Sequence, residues 1–90
     1  MLKFLSCASN QLTELDLSAN TALAHLTCSD NQIGEIDLSK NLELEECYLQ
    51  ENLIDEVDVR EHLWLDAISV DPGVTVLQDE GSEVTVDYEY

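Results

Sequence analysis

The chain has 90 residues, with 20 acidic side chains against 3 basic ones and a formal charge of −17. This length allows one domain at most. The charge argues against nucleic acid and anionic membrane surfaces as partners, because both need cationic groups facing them. No apolar run approaches the ~18 residues of a membrane helix, and no basic start followed by an apolar stretch marks a signal peptide.

From Leu2 to Trp64 the chain repeats itself in steps of 21 residues. Leu2-Lys3-Phe4-Leu5-Ser6-Cys7 becomes Leu23-Ala24-His25-Leu26-Thr27-Cys28, then Leu44-Glu45-Glu46-Cys47-Tyr48-Leu49. Leu12, Ile33 and Ile54 fall in register, as do Leu15, Ile36 and Val57, and Leu17, Leu38 and Val59. A fourth copy starts at Leu65 and continues through Ile68 and Val70. A fixed period in this range is the signature of a solenoid. Each coil buries its apolar side chains only against its neighbours, and about three repeats are the minimum for stability.

In each copy the first expected element is a short strand: Phe4–Ala8, His25–Ser29, Glu46–Gln50 and Ala67–Asp71. Side chains alternate along a strand. Leu5 and Cys7, Leu26 and Cys28, and Cys47 and Leu49 therefore point inward. Phe4, Ser6, His25, Thr27, Glu46, Tyr48, Ala67 and Ser69 point outward. Stacked coils place these strands in one parallel sheet, with neighbours about 4.8 Å apart.

Asn10, Asn31 and Asn52 follow at a corner. Stacked Asn side chains there can pair the backbone groups that a turn exposes. Asn20 and Asn41 read as a second, shorter ladder, with His62 at the third position. The return side runs through Leu12–Ser18, Ile33–Ser39 and Ile54–Arg60, too short for full helices, so extended or 3₁₀ segments are expected. Its outward residues form two acidic columns, Glu14/Glu35/Glu56 and Asp16/Asp37/Asp58. Mutual repulsion in these columns predicts raised carboxylate pKa values and stability that grows as pH falls from about 7 towards about 5. Asp79, Glu80, Glu83, Asp87 and Glu89 add to the acidity of the tail. The plain reading of this charge is solubility. A sharper one is a basic partner or bound cations.

After Val70 the pattern changes. Asp71-Pro72-Gly73 is a turn signal. Val74–Leu77 and Val84–Tyr88 have β-type composition, with a loop at Asp79–Ser82 between them, which predicts a hairpin. Residues 1–71 thus read as the repeats, and 72–90 as a capping hairpin or the start of a following segment.

Three cysteines without a Cys-x-x-Cys, in register at Cys7 and Cys28, read as small buried apolar groups. Coils stacked in register bring their Cα atoms within disulfide reach, but the parallel side chains are expected to be poorly directed for a bond. His25 lies on the opposite strand face from Cys28, so no metal set converges. No hydroxyl has a base with an orienting acid, and no Gly-rich phosphate loop occurs. Neither catalysis nor a cofactor is expected.

The motif Leu-x-x-Leu-x-Cys-x-x-Asn-x-Leu-x-x-Leu-Asp-Leu-Ser-x-Asn-x-x, met closely by Leu2–Ala22 and Leu23–Glu43, resembles bacterial leucine-rich repeats. The 21-residue length and the strand cysteine are similar to those of internalins and of leucine-rich-repeat surface proteins of Bacteroidetes. The third copy departs from the pattern at Cys47, Leu49 and His62. The resemblance implies a right-handed leucine-rich-repeat solenoid of the β-α superhelix class, mostly β, with the parallel sheet on its concave face. It further implies a non-catalytic binding module, extracellular or at a cell surface, that meets a protein or glycan through the outward set named above. The alternative is a structural spacer or homo-oligomer stacking through uncapped solenoid ends.

Overall fold

A computed structural model describes residues 2–82 and 84–88. Met1, Glu83, Glu89 and Tyr90, the last three within the expected hairpin range, lie outside the described residues. The chain forms a parallel β-solenoid of about four turns. Among the described residues there are seven strands: β1 (Phe4–Ser6), β2 (His25–Thr27), β3 (Glu46–Tyr48), β4 (Glu56–Asp58), β5 (Ala67–Val70), β6 (Thr75–Leu77) and β7 (Thr85–Tyr88). No helix occurs among the described residues, so the return side carries no helical turn. The return segments, such as Leu12–Ser18, contain too few residues between corners to nucleate a helical turn.

One sheet has the order β1-β2-β3-β5-β7, with every pair parallel. Phe4 faces His25, which faces Glu46, which faces Ala67, as the 21-residue period predicts. A repeating bond pattern fixes this register. The Lys3 carbonyl accepts from the Ala24 and His25 N–H groups at 2.8 and 2.9 Å. The Ala24 carbonyl does the same for Glu45 and Glu46 one coil later, at 2.8 and 3.2 Å.

A second, two-stranded sheet pairs β4 with β6 on the return side. Val74–Leu77 and Val84–Tyr88, expected to form a hairpin, do not pair with each other. Each joins a parallel sheet and extends the solenoid, with Glu56 opposite Thr75 and Ala67 opposite Thr85. The reason is burial. Stacked in parallel, Val74, Val76, Val84 and Val86 close over the core containing Ile54, Val57, Val59 and Ile68. The Val59 N–H also finds the Leu77 carbonyl at 2.9 Å. A free hairpin would leave these apolar faces and ladder donors in water. The last turn is shorter than 21 residues, since Ala67 aligns with Thr85. Gly73 and Gly81, at φ 92° and 82°, tighten its corners.

The core is a column of inward side chains: Leu23, Leu26, Cys28, Ile33, Leu38, Leu44, Cys47, Leu49, Val57 and Ile68 are all buried. Leu15 and its equivalent Ile36, both expected to be buried, are half-buried in either coil; Leu5, Cys7 and Leu12 of the first coil are also only half-buried. Among the described residues, their coil has a neighbour on one side only.

The corner ladder forms as the Asn spacing predicts. Asn31 Oδ1 accepts from the Leu12 N–H at 3.1 Å, and Asn52 Oδ1 from the Ile33 N–H at 3.1 Å. The Asn31 amide donates to the carbonyls of Cys7 and Cys28, both at 3.0 Å. Asp71 ends the ladder, its carboxylate accepting from the N–H groups of Glu51 and Asn52 at 2.7 and 3.1 Å. The residue before each ladder Asn is left-handed: Ser9, Asp30 and Glu51, at φ 61°, 59° and 62°. The corner is therefore made by ordinary residues in a conformation that favours glycine.

Candidate functional site

The outward face of the larger sheet is built by strand alternation alone. Inward Leu5, Leu26, Cys47 and Ile68 anchor each strand to the core. The residues on either side of each anchor must then point away from it. The structure places Phe4, Ser6, His25, Thr27, Glu46, Tyr48 and Ala67 on this face, at least partly accessible. Ser69 shares the face but is only 4% exposed. A partner could reach little of it. The shared face also continues through Thr85 and Asp87 of β7, opposite Ala67 and Ser69. Sequence reasoning missed both, since the shortened last turn leaves the 21-residue register.

The most organised part of this face is the row Phe4–His25–Glu46. The Phe4 and His25 rings stack with centroids 4.7 Å apart and planes inclined by 12°. His25 Nδ1 lies 3.1 Å from Glu46 Oε2. The strand register puts these three side chains side by side. Together they present an exposed aromatic ring, 66% accessible, next to an imidazole–carboxylate pair. Such a row can offer stacking to a flat group and a hydrogen bond at one edge. Tyr48 lies beyond Thr27 in the adjacent row.

The return face is different. Asp16 Oδ1 accepts from the Ser18 hydroxyl at 2.7 Å and from the Ser18 N–H at 3.0 Å. Asp37 accepts from the Ser39 N–H at 2.9 Å. Asp58 accepts from the Arg60 N–H and Nε, both at 3.0 Å, and from Nη2 at 2.8 Å. These bonds hold the carboxyl groups below their ordinary range. The Ser18 hydroxyl and then its N–H lower Asp16, and Ser39 lowers Asp37 likewise. The Arg60 guanidinium and then its N–H bring Asp58 down to about 2. The expectation of raised values is therefore wrong for this column. Charge-assisted bonds two residues away outweigh repulsion between exposed carboxylates a coil apart, which water screens. Glu83 and Glu89, which entered that expectation, lie outside the described residues.

Among the described residues no group of three or more His, Cys, Asp or Glu side chains converges in a way that could hold a metal ion. His62 lies with its Nε2 2.9 Å from the Leu38 carbonyl, while Asn41 donates to the Leu17 carbonyl at 3.0 Å. The histidine thus continues the second ladder. Leu63 and Trp64 stand exposed at the corner that follows, in a shallow groove with Glu43, Glu45 and Asp66.

No protein family, curated protein or solved structure matches the chain.

Proposed function

We propose that the chain is a non-catalytic binding module of the leucine-rich-repeat type. In this reading the outward face of the larger sheet is its concave surface and receives a protein or glycan. The observation that carries the reading is the Phe4–His25–Glu46 row. An aromatic stack and a paired carboxylate occupy an accessible sheet face while the return face spends its Asp carboxylates on internal turns. Aromatic side chains on a flat, rigid support suit recognition, since little conformational entropy is lost on contact. The 21-residue motif and the strand cysteine, which resemble bacterial surface repeats, support both the repeat type and an extracellular or cell-surface location. Phe4, Ser6, His25, Thr27, Glu46, Tyr48 and Ala67 carry the contact, extended by Thr85 and Asp87.

The test is a screen of the labelled protein on a glycan array and a displayed-peptide library. Wild type is compared with Phe4→Ala, Tyr48→Ala and, on the return face, Glu14→Ala. Phe4→Ala and Tyr48→Ala should weaken any ligand found, and Glu14→Ala should leave it unchanged. Equal losses from all three remove the assignment.

A second reading, self-assembly through solenoid ends, draws on one observation. Leu5 and Leu12 in the first coil remain half-exposed, while Leu26 and Ile33 one coil later are fully buried. Sedimentation velocity separates the two readings. A monomer at micromolar concentration removes assembly.

A further inference from the structure

The geometry points to Cys7 and Cys28 as an oxidisable pair that closes into a disulfide linking the first coil to the second. Both are free thiols, and their Sγ atoms are 3.0 Å apart, against about 2.05 Å in a formed bond. Parallel in-register side chains are expected to be poorly directed for a bond, yet these two sulfurs meet.

Three features hold the pair in place. The Cys7 N–H donates to the Thr27 carbonyl at 2.8 Å, and the Cys28 N–H to the Tyr48 carbonyl at 2.9 Å. Both backbones therefore belong to the parallel ladder, whose spacing of about 4.8 Å lies within the Cα range of disulfides. The Asn31 amide then donates to the carbonyls of both cysteines, at 3.0 Å each. One side chain thus pins the two residues to each other from below. Cys47 is outside the arrangement, because it faces Leu26 rather than Cys28.

Access is unequal, which sets the order of events. Cys7 is half-buried in the first coil, and Cys28 is fully buried. Burial, then the contact with Cys7, pushes the Cys28 thiol well above its ordinary value. With a low-molecular-weight disulfide as oxidant, the Cys7 thiolate attacks one sulfur of the reagent. A mixed disulfide forms and one reagent thiol leaves. Cys28 then gives up its proton and attacks Cys7 Sγ, expelling the second reagent thiol. Two protein thiols are oxidised and one reagent disulfide is reduced to two thiols. The product clips β1, which carries Phe4, to β2, which carries His25.

The experiment uses oxidised glutathione on the reduced, folded 90-residue protein, followed by quenching in acid, alkylation under denaturing conditions and protease mapping. The expected product has lost two hydrogens, contains a Cys7–Cys28 cross-linked peptide, keeps only Cys47 open to alkylation, and melts at a higher temperature than the reduced protein. Cys47→Ala should react in the same way. Cys28→Ser should stop at the mixed disulfide on Cys7. Urea-unfolded protein should give mixed pairings that include Cys47. Three thiols remaining after treatment, a persistent glutathione adduct on Cys7 of the wild type, a Cys7–Cys7 dimer, or the same pairing mixture from folded and unfolded chains would each overturn the inference.

Discussion

His62 Nε2 stands 2.9 Å from the Leu38 carbonyl oxygen, doing in the third coil what the Asn41 amide does for Leu17 in the second. The imidazole is 6% exposed, and its Nδ1 lies 3.3 Å from the Arg60 carbonyl. A residue that breaks the repeat on paper thus keeps the repeat's hydrogen bond. His62→Leu removes one of two partners of the Leu38 carbonyl, which still accepts from the Asn41 N–H at 3.0 Å, and should cost about 0.5–1.5 kcal/mol. His62→Asn should recover most of that loss. Urea midpoints of the two variants check this, and equal midpoints would show that the Asn41 N–H alone serves the carbonyl.

Acid should destabilise the protein through the Asp16/Asp37/Asp58 column. The folded values of all three lie below the ordinary 3.8. A carboxylate lowered by folding adds stability above its unfolded pKa and loses it as pH falls through its folded pKa. With Asp58 at about 2, that contribution disappears between about pH 4 and pH 2. Thermal melts over this interval should fall with pH, and Asp58→Asn should flatten the fall. A midpoint that climbs on acidification below pH 4 would show that column repulsion dominates after all.

The left-handed corners offer a stabilising change. Asp30 and Glu51 hold φ near 60°, a region costing a residue with a Cβ about 1–2 kcal/mol. Glycine removes that cost but loses more backbone entropy on folding. Glu51→Gly should therefore gain up to about 1 kcal/mol, read from urea denaturation. Glu51→Val, with a branched Cβ in the same conformation, should lose stability.

Core truncation should separate inward from outward positions. Leu26 is fully buried, and Leu26→Ala should cost about 2–5 kcal/mol. A four-turn solenoid in which each coil leans on its neighbours has little margin for that loss. Leu53, 67% exposed, should tolerate alanine within about 0.5 kcal/mol.

Cys47 should react far more slowly than Cys7 in the folded state. Burial alone pushes it up to about 12, so almost no thiolate exists at neutral pH. Iodoacetamide labelling of the native protein followed by mapping should find Cys7 modified and Cys47 intact.

How much of this could be read in advance follows from what kind of information each feature needs. The Phe4/His25/Glu46 row, the Asn31 and Asn52 corner bonds and the inward Leu26 and Ile33 were legible in the sequence. A repeated motif places equivalent residues in equivalent environments, and strand alternation assigns their faces. The tertiary structure decided the rest. Val74–Leu77 and Val84–Tyr88 suit a hairpin or a parallel coil equally well in composition. The uncovered apolar edge of the third coil chose the parallel arrangement and so brought Thr85 and Asp87 onto the sheet face. Acidic columns looked repulsive as charges, but Ser18, Ser39 and Arg60 turned each Asp into a bonded acceptor. The closeness of Cys7 Sγ to Cys28 Sγ depends on side-chain directions, which the repeat period does not carry. Periodicity determines which residues share a coil position, and burial and hydrogen-bond geometry determine what they do there.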